Sequence, residues 1–365
     1  MLPVNASPAP RVNRLLLAPE IFSSEGGIPR ILQLYLRVLG EHAREADEVR
    51  LISLNDARFK SQNLSAATPR PLTEACACNR NKLKFVWATF IFGRKSNLIV
   101  CGHLAQLPVA WFVSFFKPGL RYDLVAHGIE IWRHYGPLKR LALRRVRYVY
   151  CVSEYTRNEL LNRCPLPAAR AIVLPNALDP LFPVTSGSPL PATPPVILLV
   201  SRLTHVDYGK GYADMIRAMP AVLARLPASR LRIIGRGNAL ADLQALVTSL
   251  GIQASVDFLG YADDQQMIAE LRTCRLFALP SNKEGFGLVF IEAMSCGRPC
   301  LGARAGGAPE VITEQTGVLT EPGDIPGIAA AAIDALTRDW DEEAILERAR
   351  TFTYPQFQKR LTGLL

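Results

Sequence analysis

Two glutamates separated by seven residues, Glu284 and Glu292, stand in the segment LPSNKEGFGLVFIEAMSCGRPCLGARAGGAPEVI, the stretch of this chain richest in chemical information. An apolar run ends at Leu279 and Pro280 breaks it. A loop carrying Glu284, Gly285, Phe286 and Gly287 then opens a helix that should end near Gly297. Small residues ahead of a helix N-terminus leave backbone N–H groups available to grip phosphate, and the helix dipole favours the same anion. A diphosphate is the natural guest. On one ideal helix the two glutamates would lie about 12 Å apart along the axis. That exceeds the carboxylate separation of glycosidases, roughly 5 to 9.5 Å. The pair therefore reads as two hydroxyl acceptors holding separate parts of one extended ligand. The plainer alternative is that Glu284 caps the helix and Glu292 is a paired or exposed helix residue. Two cations follow the first strand of the second half: Arg202 in VSRLTHVDYGKGYADMI, and Lys210 just before Gly211. At a strand end ahead of a helix they could neutralise charge on a departing diphosphate, although either one alone also suits an ordinary surface position.

Other signals fail on inspection. Asp339-Trp340-Asp341 spells the D-x-D of metal-dependent transferases, but it opens the charged helix DWDEEAILERAR, where acids favour the first turn. No metal is expected there. GRGNAL is half a dinucleotide fingerprint with Leu240 in place of its final glycine, so no nicotinamide cofactor is expected. No G-x-S-x-G, H-E-x-x-H or Walker sequence occurs. Cys76 and Cys78 form a lone C-x-C without a second pair at zinc-finger spacing. The eight cysteines are scattered and several sit in strongly apolar segments, which predicts free thiols in a reducing compartment. His103, after NLIVCG, could line a ligand cleft, but a structural histidine is the expectation.

The elements that must position these residues follow from the apolar pattern. At 365 residues, 49% hydrophobic and 20% charged, the chain is too long for one core and too apolar to be disordered. The Pro/Ser/Gly/Thr-rich stretch Phe182 to Pro195 reads as a hinge between two halves. Before it, RLLLA, NLIVCG, YDLVAHG, YVYCVS and AIVLPN are strand candidates separated by helical patterns. The segment IPRILQLYLRVLGEHA places Ile28, Ile31, Leu32, Tyr35, Leu36 and Leu39 on one helical face. After the hinge, VILLVSRL, RLRIIGRG, SVDFLG, RLFALPS, PCLGA and GVLT repeat the scheme. Such alternation predicts α/β architecture, with two Rossmann-like domains whose parallel sheets bind ligands at the carboxyl ends of their strands.

The net charge of +10 is uneven: residues 1–200 hold 25 Lys+Arg against 13 Asp+Glu, and residues 201–365 hold 17 against 19. The basic half should face something anionic, a phospholipid surface or a phosphorylated acceptor. No helix-turn-helix, RNP or finger pattern accompanies the charge, which argues against nucleic acid. LAQLPVAWFVSFF is 13 residues long and contains a proline, so it falls short of the roughly 20 needed to span a bilayer and is expected to be a buried helix. GPLKRLALRRVRYVY surrounds Leu141, Leu143 and Val146 with Lys139, Arg140, Arg144, Arg145 and Arg147. This pattern fits either an anionic lipid surface or a solvated helix face. The first 20 residues hold no apolar run of signal-peptide length, so a cytoplasmic location is expected.

SRL…GKG, IIGRGNALADLQ, VDFLGY, LPSNKEGFGLVFIEAMSCGRPCLGARAGGAPEVI and TGVLTEPGD stand in the order and spacing found in family four glycosyltransferases of the GT-B fold. The chain resembles that family over nearly all of residues 196–325, and more loosely earlier, through SEGGIPR, AHGIEIW, VSEYTR and LPNALD. The resemblance implies two Rossmann-like domains facing across a cleft. An acceptor-side domain would cover residues 1–184 and a donor domain residues 185–351, with the tail 352–365 returning to the first. It implies that Arg202 and Lys210 bind the donor diphosphate, that Glu284 with the Gly285, Phe286 and Gly287 backbone holds the transferred sugar, and that Glu292 binds the ribose. Gly26 and Gly27 would let a loop approach the phosphates, His127 would contact the sugar, and Arg236 and Tyr261 would meet the nucleobase. The implied reaction is hexosyl transfer from a UDP-sugar or GDP-mannose to a lipid-linked or polysaccharide acceptor. It would proceed with retention of configuration and without a cofactor or obligatory metal, at the cytoplasmic face of a membrane if the basic half meets lipid. A nucleotide-sugar 2-epimerase and a non-catalytic nucleotide-sugar-binding module are the alternatives. Ala177 in PNALD stands where many members have glycine.

Overall fold

The computed structural model describes residues 11–24, 26–185 and 194–365, so residues 186–193 of the expected hinge lie outside the described residues. The chain divides into two compact units. The first takes the residues up to Cys151, then Arg157–Leu174 and the tail Gln358–Leu365; the second takes Val152–Thr156 and Pro175–Phe357. The division after Leu174 precedes the boundary at 184/185 drawn from composition, because β-structure stops at Val173 and the next segment is tied elsewhere: the Leu178 N–H donates to the Phe352 carbonyl at 2.8 Å. The tail joins the first unit from Gln358, not from residue 352. Its Gln358 Nε2 donates to Glu41 Oε2 at 2.6 Å, and Leu361 is fully buried.

The first unit is built on a seven-stranded parallel sheet: β1 (Arg14–Ala18), β2 (Val49–Ser53), β3 (Glu74–Ala77), β4 (Leu98–Cys101), β5 (Arg121–Ala126), β6 (Val149–Cys151) and β7 (Ala171–Val173), in the order β3-β2-β1-β4-β5-β6-β7. β1 and β4 are buried at every residue, which explains their unbroken apolar runs: a strand covered by helices on both faces has no polar side to alternate with. The helix Gly27–Glu41 buries Ile31, Leu32, Tyr35, Leu36 and Leu39, with Ile28 half-buried at its start.

Two expectations about this unit need correction. The LAQLPVAWFVSFF segment forms a short 3-10 turn (Leu104–Gln106) and the helix Leu107–Ser114. Only one side is buried, through Leu107, Ala110 and Val113; Phe112, Phe115 and Phe116 are exposed. Arg147 does not join a solvated basic face. Its guanidinium pairs with the fully buried Asp123, which also accepts from Tyr150 Oη at 2.7 Å and the Tyr148 N–H at 3.1 Å.

The second unit carries six parallel strands: β8 (Val196–Val200), β9 (Arg230–Ile234), β10 (Val256–Gly260), β11 (Leu276–Leu279), β12 (Cys300–Ala303) and β13 (Gly317–Thr320), in the order β10-β9-β8-β11-β12-β13. Chain order reverses direction across the sheet between β8 and β11, and in the first unit between β1 and β4. At such a point the connections leave to opposite sides and open a crevice beyond the carboxyl ends of the strands.

Candidate functional site

At the reversal point of the second sheet two of the residues singled out in the sequence, Lys210 and Glu284, meet. The loop after β8 carries Arg202 and Lys210, and the loop after β11 carries Glu284. Lys210 Nζ donates to Glu284 Oε2 at 2.7 Å, and both side chains are largely covered while still reaching solvent. The two loops are bound together by backbone as well. The Asn282 N–H donates to the Gly209 carbonyl at 2.9 Å, and a Cβ on Gly211, whose φ is +80°, would fall 2.2 Å from the Pro280 carbonyl oxygen. Only glycine permits that approach. The following strand end joins the cluster: the Gly307 N–H donates to the Glu284 carbonyl at 2.8 Å, and a Cβ on Gly306 would lie 2.0 Å from the same oxygen.

Glu284 precedes the helix Leu288–Ser295 and does not cap it. The N-cap is Gly287, in left-handed conformation and without a side-chain cap. In its first turn the Phe290 N–H already donates to the Gly287 carbonyl at 3.0 Å, and the remaining amides at this end are suited to an anion beside Lys210 and Glu284. Phe286 is buried, with its ring edge-on to Phe352 and the centroids 5.4 Å apart. Glu292 is buried in the helix body, which removes the alternative of an exposed helix residue.

Arg202 is exposed and pairs with Asp207 at 3.4 Å, and Asp207 is fixed in turn by the Thr204 hydroxyl at 2.8 Å. Arg236 and Tyr261, from the loops after β9 and β10, come together: the guanidinium sits 4.4 Å from the centroid of the half-exposed Tyr261 ring. The Leu203 N–H donates to the Arg236 carbonyl at 3.1 Å, and the Gly235 N–H to the Gly260 carbonyl at 2.7 Å, so neighbouring strand ends are tied loop to loop. Gly235 and Gly237 allow this, since Cβ atoms there would meet the Ser201 and Leu203 carbonyl oxygens at 1.9 and 2.1 Å.

Gly26, Gly27 and His127 belong to the first unit. Gly26, at φ +142°, is the N-cap of the helix Gly27–Glu41 with open space where a Cβ would sit. His127 Nε2 lies 2.8 Å from the Gly102 carbonyl, which can only accept, so this nitrogen carries the proton. His103 caps the 3-10 turn Leu104–Gln106. Its Nδ1 accepts from the Ala105 N–H at 3.1 Å, and burial, with His127 and Lys139 adding to it against the opposing Glu130, pushes its pKa below the ordinary value.

Three contributors escaped the sequence reading. Asp56, buried, accepts from the Ile21 and Phe22 N–H groups at 2.8 and 3.0 Å and so fixes the loop leading to Gly26. Ser153, noted only as part of a motif, donates to the Gly285 carbonyl at 2.9 Å within the second unit. Gly306 and Gly307 seat the Glu284 loop. The GAGG-like composition of LGARAGGAPE was a usable signal for the glycines; nothing local marked Asp56. Asp341 is a helix cap, accepting from the Glu343 and Ala344 N–H groups at 3.0 and 3.3 Å, which accounts for one carboxylate of the D-x-D spelling. Among the described residues no group of three His, Cys, Asp or Glu side chains is placed to share a metal ion.

Residues 186–352 match the family described as "Glycosyl transferases group 1", and residues 33–181 match "Glycosyltransferase Family 4". The chain is 40% identical over 165 residues to the N-acetyl-alpha-D-glucosaminyl L-malate synthase of Bacillus anthracis, covering 45% of this chain and 42% of that protein. It is 28% identical over 306 residues to the GDP-mannose-dependent alpha-(1-6)-phosphatidylinositol monomannoside mannosyltransferase of Mycolicibacterium smegmatis, covering 77% and 74%. The matched part thus spans about two-fifths of the first of these relatives. Anabaena Alr3699/HepE, solved in complex with UDP, superposes with a TM-score of 0.75 at 23% identity over 97% of this chain and 99% of its own.

Proposed function

This chain belongs to the family four glycosyltransferases of the GT-B fold, and we propose that it moves a hexosyl group from a UDP-sugar or GDP-mannose to a lipid-linked or glycan acceptor, with retention of configuration. The observation carrying this reading is the Lys210–Glu284 contact, 2.7 Å, at the sheet reversal beside an open helix N-terminus. That arrangement offers cationic and amide donors for a diphosphate and a carboxylate for sugar hydroxyls within one side-chain length. In this reading Lys210, Arg202 and the first-turn amides stabilise the departing diphosphate, while Glu284 exchanges its lysine for sugar hydroxyls when the donor binds. Glu292 serves the ribose. The Arg236–Tyr261 pair gives the nucleobase a flat, charged-rimmed surface. His127, Gly26 and Gly27 are assigned to substrate contact from the first unit.

In the reaction the bond from the anomeric carbon to the phosphate oxygen breaks and its electron pair leaves with the nucleoside diphosphate. The acceptor hydroxyl bonds to the same face of that carbon and passes its proton to the departing phosphate oxygen. Because fixed cations neutralise the leaving group, transfer should proceed without an obligatory metal, and EDTA should leave the rate unchanged. The names of relatives that use GDP-mannose and phosphatidylinositol mannosides support a membrane-linked acceptor. The basic first half supports work at an anionic, cytoplasmic membrane face.

The first test is thermal unfolding with UDP, GDP or ADP. A nucleotide at about a hundred times its dissociation constant adds about 2.7 kcal/mol to native stability. One of the three should raise the transition clearly above the others, and no shift with any would remove the donor site. NMR of the product should then show an unchanged anomeric configuration. Inversion, or a sugar altered at C2 but still attached to nucleotide, would overturn retaining transfer.

Gly306 provides a local check on the same site. Its φ is +59° and an added Cβ would meet the Glu284 carbonyl oxygen at 2.0 Å, so Gly306→Ala must displace the Glu284 loop. It should weaken nucleotide binding by about tenfold or more by calorimetric titration, the equivalent of about 1.4 kcal/mol. Gly323→Ala, also at positive φ (+76°) but with open space around it, should bind as the parent does.

A further inference from the structure

Three neighbouring helices of the first unit leave apolar side chains uncovered. On the helix Lys82–Arg94, Leu83 is 84% and Trp87 67% exposed; after the helix Leu107–Ser114, Phe115 and Phe116 are 53% and 52% exposed. The first helix packs on the second, and the second on Pro137–Arg144, where Leu138 and Leu141 are also exposed. The aromatic rings on and just after the first two of these helices form a connected patch. Trp87 stacks on Phe90 at 6.2 Å, Phe90 meets Phe116 edge-on at 5.3 Å, and Phe116 touches Phe112 at 5.0 Å. A connected apolar surface of this kind marks an interaction site, unlike scattered exposed hydrophobics.

The charge around it narrows the occupant. No Asp or Glu occurs between Glu74 and Asp123, and none between Glu130 and Glu154, while these two stretches carry Lys82, Lys84, Arg94, Lys117, Arg140 and Arg144 among other cations. Asp123 is buried and paired with Arg147. Cations also border the aromatics directly, with Arg94 and Arg145 each 5.5 Å from the ring centroids of Phe90 and Phe115. A second copy docking by the same face would set two acid-free cationic rims against each other. Nucleic acid would gain little from exposed leucines. A bilayer with anionic headgroups satisfies both features: aromatic and aliphatic side chains enter the acyl boundary while arginine and lysine reach up to phosphate.

We infer that the face formed by Leu83, Trp87, Phe112, Phe115 and Phe116, with its rim of lysine and arginine, inserts shallowly into an anionic phospholipid surface and holds the chain there. The inference rests on the membrane-side placement proposed above and adds which residues make the contact and that apolar insertion, beyond charge alone, sustains it. Among the described residues no helix is long and apolar enough to cross a membrane.

The full chain should co-sediment at low salt with vesicles of phosphatidylcholine and phosphatidylglycerol in equal parts, and much less with phosphatidylcholine alone. Rising salt should weaken binding. Trp87→Ser combined with Phe116→Ser should reduce partitioning by about tenfold or more at constant salt, since each removes a large inserted side chain. Arg144→Glu with Arg145→Glu should reduce it comparably. Both variants should keep the parent's thermal shift with its preferred nucleoside diphosphate, which confirms folding and separates this inference from the donor site. Failure of the parent to sediment with anionic vesicles at low salt would overturn the inference. So would undiminished binding by the Trp87/Phe116 variant, or a dimer in sedimentation velocity without vesicles that this variant dissociates. Loss of the nucleotide shift in the parent, with vesicle binding intact, would instead unseat the proposed activity and leave the membrane face standing.

Discussion

Lys210→Ala is expected to lower sugar transfer by about 10²- to 10³-fold, the range measured when one preorganised donor is removed from a developing anion. The fold should survive the change. The Lys210 loop is held to the Glu284 loop by backbone, through the Asn282 N–H on the Gly209 carbonyl at 2.9 Å and by the close approach of Gly211 to Pro280, neither of which uses the lysine side chain. What is lost is the charge proposed to face the diphosphate, and the partner of the Glu284 carboxylate at 2.7 Å. Because the two side chains act on each other, Glu284→Gln and Lys210→Ala should not add: the double variant should be little slower than the worse single one. Steady-state rates on all three, with circular dichroism to confirm folding, test this. A Lys210→Ala rate equal to the parent's would remove the lysine from the donor site, and simple multiplication of the two effects would deny that the pair works as a unit.

The largest effect on stability should come from a residue far from any chemistry. Asp123→Ala is expected to cost about 3–5 kcal/mol, the usual penalty for breaking a buried ion pair by removing one partner. Asp123 is fully buried at β5 and receives the Arg147 guanidinium, the Tyr150 hydroxyl and the Tyr148 N–H. Its removal strands a half-buried cation and a buried phenol. The pair fixes the approach of β6 to β5, and Arg147 also reaches the Leu365 carbonyl at 3.5 Å, so the loss should loosen the C-terminal tail of the same unit. Urea unfolding followed by far-ultraviolet circular dichroism reads the cost. Replacing Arg147 and Asp123 together with apolar residues of similar volume should recover much of it; a single Asp123→Ala variant as stable as the parent would refute the role given to the pair.

How much of this was legible beforehand varies with the kind of signal. A short apolar stretch marked each strand of the second sheet and β1 and β4 to β7 of the first, most plainly in β1 and β4, which are covered on both faces. β2 and β3 escaped: VRLIS carries Arg50, and EACA has no β-branched residue to mark it as a strand. Arg50 is buried nonetheless, paired with Glu74 of β3 at 2.6 Å, a match invisible until the strands are side by side. The spacing of Glu284 and Glu292 and the cations after β8 pointed to a diphosphate and sugar site. The sequence could not show that Gly287 and not Glu284 stands at the helix cap, or that Lys210 is the partner of Glu284.

Thus the chain's own order of residues marked most of the strands, a helix end that could grip an anion, and side chains chemically suited to a nucleotide-sugar. Those properties depend on neighbours within a few positions, where periodicity and turn residues act. The pairing of Lys210 with Glu284 across 74 positions, the clamp of Asp56 on Ile21 and Phe22, and the assembly of Trp87, Phe90, Phe112 and Phe116 into one exposed face were decided only by tertiary structure. Strand order in a parallel sheet is set by how crossover helices pack. Residues distant in the chain therefore meet at a reversal point or share a surface through contacts that no local pattern encodes.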